Sequence, residues 1–249
     1  MPPAEGTVDS GLDPGLDPNL DPSWRPRRLW VASGNPHKVD ELRRMLAAEV
    51  PSLQVLGLRD GSPTWGPVPR IDETADDFAG NARLKAEGIA AWLLEHGEDG
   101  HSVVLSDDSG VCVDALEGAP GVWSARFAGP GASDADNNAK LVRELQVRGL
   151  QASRGHYRCV LALARVDGRR WPDSPGPSRL FEGRWDVELR VQRRGAGGFG
   201  YDPHAWLLDA PPGGRTPEGR TVAELSPDDK AARSHRGQAM RALLAWFRG

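Results

Sequence analysis

The chain has 249 residues, 39% of them hydrophobic, which is enough to bury a core without disulfide or metal staples. Its formal charge is −4, but five acids and no base fall in the first 24 residues, leaving 31 bases against 30 acids in the remainder. That balance excludes a broad basic field for nucleic acid, and no apolar run reaches the roughly 18 residues that span a bilayer.

Cys112 and Cys159 stand in apolar runs without metal-ligand spacing. They read as buried free thiols in a reducing compartment. No leader pattern of a charged start and a long apolar stretch is visible, so the default location is cytoplasmic. Neither nucleic acid nor a membrane is an expected partner.

Residues 1–26 read as a disordered acidic tail rich in Pro and Gly. It contains G-L-D-P, G-L-D-P and N-L-D-P over residues 11–22, and a Pro every fourth residue defeats helix and ladder bonding alike. Residues 27–249 read as a single domain. Leu29 to Ala32 predict a short buried strand, Ser33-Gly34-Asn35 a turn, and His37 to Ala48 a helix with Val39, Leu42, Met45 and Leu46 on one side. Strand, small-residue turn and helix form the first unit of an α/β protein.

Residues 51–58 predict a second strand and 59–70 an exposed Gly/Pro loop. A long helix is expected over 74–95, with Thr74 and Asp77 as a capping box. Val103 to Leu105 predict a buried strand running into Ser106 to Gly110, and Val111 to Val113 continue the apolar run. Asp136 to Arg148 predict a helix. Tyr157 to Val166 is apolar enough for a strand covered on both faces, and Trp185 to Val191 alternates as its neighbour, with a loop or weak hairpin between them. A short strand is expected over 205–208. The last helix starts at Ser226 with Pro227 in its first turn, and Ser234 marks a break and a fresh cap.

Five segments carry chemistry. Ser33-Gly34-Asn35-Pro36-His37-Lys38 places backbone N–H groups and a cation at a helix start, as a phosphate requires. It is neither a Walker A loop nor a dinucleotide fingerprint. Asp107-Asp108 are adjacent carboxylates after an apolar strand, costly unless a cation or cleft receives them. In extended chain they point oppositely, so one can face the cleft while the other anchors its neighbourhood. Mg²⁺ is the hard cation such oxygens suit, usually partly held by phosphates. The acids Asp72, Glu73, Asp76 and Asp77 begin a helix on which Asn81 and Lys85 share a face. Gly197 to Pro203 sets Phe199 and Tyr201 among glycines, in a chain with only 2 Tyr and 5 Phe, so a planar base would fit there. Lys230 to Gly237 is a basic segment carrying His235 and Arg236. Singly, each segment also reads as an ordinary turn, a helix-dipole partner or a solvated face.

Together and in this order they resemble the inosine/xanthosine triphosphate pyrophosphatases, over about residues 28 to 245. The matching stretches are S-G-N-P-H-K-V-D-E, D-E-T-A-D-D-F-A-G-N-A-R-L-K-A, S-D-D-S-G-V-C-V-D-A-L, G-G-F-G-Y-D-P and S-H-R-G. The resemblance implies an elongated mixed sheet flanked by helices, with two lobes around a deep cleft, and a Mg²⁺-dependent homodimer. It implies hydrolysis of ITP, dITP and XTP to the monophosphate and pyrophosphate. Carried over by motif, Ser33 to Lys38 bind the triphosphate, Asn81 and Lys85 face it, and Asp108 is proton acceptor and metal ligand. Glu73 helps hold the metal and Ser109 touches substrate. Phe199, Gly200, Tyr201 and Asp202 form the nucleoside pocket, and Lys230, His235 and Arg236 contact the base. One departure stands out: the family usually has Glu-Asn where this chain has Gly80-Asn81, with Asp76 or Asp77 as the nearest substitutes. A related pyrophosphatase of different base preference, or a nucleotide-binding protein that has lost activity, are the alternatives.

Overall fold

The computed structural model describes residues 24–33, 36–61, 63–171, 174, 176–208 and 219–248. Six strands form one mixed sheet: β1 (Arg28–Val31), β2 (Gln54–Gly57), β3 (Ser102–Val113), β4 (Ala152–Arg165), β5 (Ser178–Arg190) and β6 (Ala205–Leu207). Their order across the sheet is β2-β1-β3-β4-β5-β6. β1 is parallel to both β2 and β3, and β3, β4, β5 and β6 run antiparallel in succession. The helices are α1 (Pro36–Glu49), α2 (Phe78–Glu95), α3 (Asp134–Val147), α4 (Pro227–Arg233) and α5 (His235–Arg248). The mixed α/β architecture expected from the sequence is the one found. Most of the acidic tail, residues 1–23, lies outside the described residues. Trp24 packs on the core, stacked on His101 and beneath the Arg165 guanidinium.

The sheet divides into two lobes because β1 is short and β3 is long. β1 pairs with Ser102–Leu105 of β3, whereas β4 pairs with β3 as far as Val113. Over the first half, Leu29, Val31, Leu105, Leu161 and Phe181 face α1 and α5, and Trp30, Val104 and Val160 face α2 on the other side. Over the second half, Val111, Tyr157, Val187 and Leu189 pack against Leu141 and Leu145 of α3. Strands covered on both faces have nearly continuous apolar runs, as β4 does. No helix among the described residues is long and apolar enough to cross a membrane.

β3 runs straight through the acidic pair, with Ser106 to Gly110 in register with Arg158 to Ala162 of β4. Each carboxylate finds a cation on its own face, so the strand has no need to break. The long helix starts at Phe78 rather than Thr74, because Asp77 is its N-cap and accepts the Gly80 N–H at 2.6 Å. β5 also begins earlier than the alternation from Trp185 indicated, at Ser178. Cys159 is fully buried, as expected, but Cys112 is only half-buried. The break between α4 and α5 at Ser234 is found as read.

Gly183 on β5 sets how near α5 lies to the sheet. A Cβ there would run into the His235 carbonyl oxygen and sit 2.9 Å from the Ala239 nitrogen, both backbone. Gly183→Ala is therefore expected to destabilise the fold by about 1–3 kcal/mol through overpacking. Urea unfolding checks this, and an unchanged midpoint would show that α5 moves away freely.

Candidate active site

Past Leu105, β3 keeps β4 on one side and has lost β1 on the other, so its polar residues lie on an open edge. Lys85 of α2 reaches this edge. Its Nζ donates to the Asp107 carbonyl oxygen at 2.9 Å and to Asp108 Oδ1 at 3.0 Å, and it lies 3.4 Å from Glu73 Oε1. One ammonium thus supplies the missing backbone partner and bridges two carboxylates. Asp108 is 8% exposed, and its Oδ2 is buried with no donor among the described residues. Burial pushes this carboxyl up from 3.8 to about 6, against the pull of Lys85; Glu73 and Asp107 add smaller upward pushes.

Asp107 points to the opposite face. Its carboxylate accepts from Arg236 Nε at 2.9 Å and Nη2 at 3.3 Å, and Arg236 also donates to the Ser109 hydroxyl at 3.0 Å. Arg236 comes from the first turn of α5, so Asp107 ties the helix start to the strand.

On that face lies a cavity of about 420 Å³ between the lobes. Ser33, Leu42 and Met240 line it from the first lobe, and Ser124, Tyr157, Phe199 and Tyr201 from the second. Tyr157 and His235 stack, with ring centroids 5.0 Å apart and planes 8° from parallel. The Tyr157 hydroxyl donates to Asp202 Oδ1 at 3.2 Å. Burial and the Asp202 charge hold that phenol well above its usual range, so it remains a donor. Asp202 is itself buried; its other oxygen accepts the Phe199 N–H at 3.0 Å and pairs with Lys230. The Lys230 Nζ stands 4.1 Å from the centroid of the Phe199 ring, which is 59% exposed.

The sequence-derived residues therefore fall into two groups, on opposite faces of β3. Asp108, Lys85 and Glu73 lie on the α2 face. Ser33, Ser109, Phe199, Gly200, Tyr201, Asp202, Lys230, His235 and Arg236 surround the cavity. Asn81 is buried without exposure, and its Oδ1 accepts the Ala75 N–H at 2.9 Å, so this oxygen holds the loop before α2. Gly34 and Asn35 lie outside the described residues, as do the side chains of Pro36, His37 and Lys38, whose backbone opens α1. Sequence reasoning missed Tyr157, which an apolar run disguises as core. It also missed Ser124, whose carbonyl accepts from the Tyr201 hydroxyl at 2.8 Å and whose own hydroxyl accepts the Val111 N–H of β3 at 2.9 Å.

Residues 29–246 match the Ham1 family. The chain belongs to the Ham1 family. It is 37% identical over 222 residues to a dITP/XTP pyrophosphatase of Thioalkalivibrio sulfidiphilus, covering 89% of this chain and 99% of the relative. A dITP/XTP pyrophosphatase of Streptococcus thermophilus is 38% identical over 219 residues and longer, so that 88% of this chain spans 59% of it. A Ham1 protein from Coxiella burnetii has a similar fold, with a TM-score of 0.71 at 31% identity over 88% of this chain and 96% of that one.

At Gly80, where the family usually has Glu, an added Cβ would meet the Ala75 Cβ at 2.5 Å. The loop packs too closely on α2 for any side chain at that position. Asp77 Oδ1 is engaged in the helix cap, which leaves its Oδ2 as the other carboxylate oxygen near that position. No group of three or more His, Cys, Asp or Glu among the described residues converges as a metal shell. Asp108 and Glu73 remain as two hard oxygen donors within reach of one ammonium, and the unpartnered Asp108 Oδ2 is an acceptor awaiting a cation or a proton. That set fits an ion taking one or two carboxylates and completing its shell with phosphate oxygens and water.

Because the folded-state value of Asp108 is raised, the native protein binds its proton more tightly than the unfolded chain does. Its contribution to stability is fully present below the unfolded value of 3.8 and is lost as pH rises through about 6. The full loss is about 3 kcal/mol. In metal-free solution, Asp108→Asn is expected to unfold at a higher temperature than wild type at pH 8, with the gap closing by about pH 4. Thermal melts across that range test this; a variant less stable at pH 8 would reject burial as the cause.

Proposed function

We propose that the protein hydrolyses ITP, dITP and XTP to the nucleoside monophosphate and pyrophosphate, and that it does so with Mg²⁺ and as a homodimer. The observation that carries the reading is the placement of a base-sized slot and a buried carboxylate on the two faces of one strand, at the edge where β1 ends. A nucleotide seated by its base between the lobes would extend its phosphates over that edge. The Ser33 to Lys38 segment, leaving β1 there, is suited to receive them with backbone N–H groups.

Asp108 is the proposed proton acceptor. With its carboxyl near 6 it is largely ionised at pH 7 and above, yet basic enough to take a proton from water attacking the α-phosphorus. Lys85 holds Oδ1, and the buried Oδ2, which has no donor among the described residues, is the oxygen left to accept the proton. Asp108 and Glu73 would hold Mg²⁺, which supplies charge neutralisation on the phosphates when bound. Lys85 and Lys38 would offset the charge of the departing pyrophosphate. On the other face, Phe199 would stack on the base, and Lys230, His235 and Arg236 would present donors to a 6-oxo group. A 6-amino group would leave such donors unpaired, at a cost of roughly 1–3 kcal/mol per buried group.

Two measurements test this reading. Pyrophosphate release with Mg²⁺ should show kcat/KM for dITP and XTP at least about tenfold above dATP and dTTP; equal values across the panel would remove the proposed base selection. Asp108→Asn should lower kcat by about 10²–10⁴ with little change in KM, and chelation of Mg²⁺ should abolish turnover. Equal rates in variant and wild type would reject Asp108 as the proton acceptor.

A further inference from the structure

The Gly197 to Asp202 loop is anchored from two sides, and its outer support comes from α3. The chain turns at Gly200 with φ of +59°, a left-handed conformation that suits glycine. On the inside, Asp202 holds the Phe199 amide and the Tyr201 hydroxyl holds Ser124. On the outside, two side chains one turn apart on α3 take both polar groups of Gly200. Asp134 Oδ2 accepts its N–H at 2.6 Å, and Asn138 Nδ2 donates to its carbonyl at 2.9 Å. Neither is needed to start the helix, because Ser133 and Asp136 form the capping box of α3. Asn137, between them, grips the facing wall. Its Nδ2 donates to the Ala125 carbonyl at 3.2 Å and its Oδ1 accepts the Ala128 N–H at 2.8 Å.

We propose that Asp134 and Asn138 are positioning residues that set the base slot. By clasping Gly200 they hold the neighbouring Phe199 ring at a fixed separation from the Ser124–Ala125 wall, to which the same turn of α3 is fastened. A largely exposed ring on a glycine loop samples many arrangements, and ordering it on binding costs affinity; the clasp meets that cost before the ligand arrives. A charge-assisted bond such as that from Asp134 is the stronger arm of the pair. The residues act through Phe199 and have no part in proton transfer. Their role in base binding rests on the nucleotide reading above.

The test compares Asp134→Ala, Asp134→Asn and Asn138→Ala in the full chain. Asp134→Asn keeps an acceptor oxygen and should retain most of the effect. Asp134→Ala should raise KM for dITP about tenfold and narrow its preference over dATP, with kcat within about twofold of wild type. Asn138→Ala should do the same more weakly. Hydrogen exchange at the Gly200 amide reads the clasp without turnover, and should quicken about tenfold in Asp134→Ala and return towards wild type in Asp134→Asn. Unchanged Gly200 exchange overturns the clasp. Quickened exchange with an unchanged KM, a loss confined to kcat, or an Asn variant as impaired as Ala overturns its role in base binding. A wild type that releases no pyrophosphate overturns the nucleotide reading itself and that role with it, whereas the exchange data still decide the clasp.

Discussion

Lys85 is the group on which the rest of the site depends. β3 outruns β1, and a strand that outruns its neighbour exposes carbonyls that need partners. Its ammonium meets one of them, at Asp107, while pairing with Asp108 and approaching Glu73. Without it, two carboxylates would stand close together in a poorly hydrated place with no cation between them, and burial of unpaired charge is among the most costly arrangements a fold can contain. Even so, Asp108 remains poorly stabilised in its charged form. The fold tolerates a carboxylate that takes up a proton more readily than usual, its carboxyl raised to about 6, which is the condition for a base at neutral pH.

The opposite face uses a different logic. There the charges are satisfied: Asp107 by Arg236, and Asp202 by Lys230, Tyr157 and the Phe199 amide. These bonds fix where the cations stand, so that the cavity wall is set before any ligand enters. Gly183 contributes by absence, since its missing side chain lets α5 bring His235 and Arg236 down to the sheet. One strand thus carries an under-satisfied acid on one side and an ordered recognition wall on the other.

Much of this was legible in the sequence. Periodicity gave the helices and the buried strands, and the caps at Ser226 and Ser234 gave the break between α4 and α5. The opposite pointing of Asp107 and Asp108 followed from strand geometry alone. That the strand runs unbroken from Ser106 to Gly110 is less legible, because the partners that hold it, Lys85 from α2 and Arg236 from α5, lie far away in the chain. Tyr157 was read as core for the same reason: its ring is core, and only its hydroxyl and its stacking on His235 make it part of the site. Asp134 lay at the edge of a predicted helix, where an acid needs no further explanation. Nothing local signals that its carboxylate reaches Gly200.

On the proposed reading, the open edge of β3 would also act as a ruler. A ligand held only by its base would stay on one face and not meet Asp108, whereas one with a chain of phosphates would straddle the strand and touch both. Cutting that chain at its root would leave two pieces, neither long enough to hold on at both ends. The same geometry that admits the intact molecule would then weaken the grip on its fragments, and release would be built into the width of a single strand.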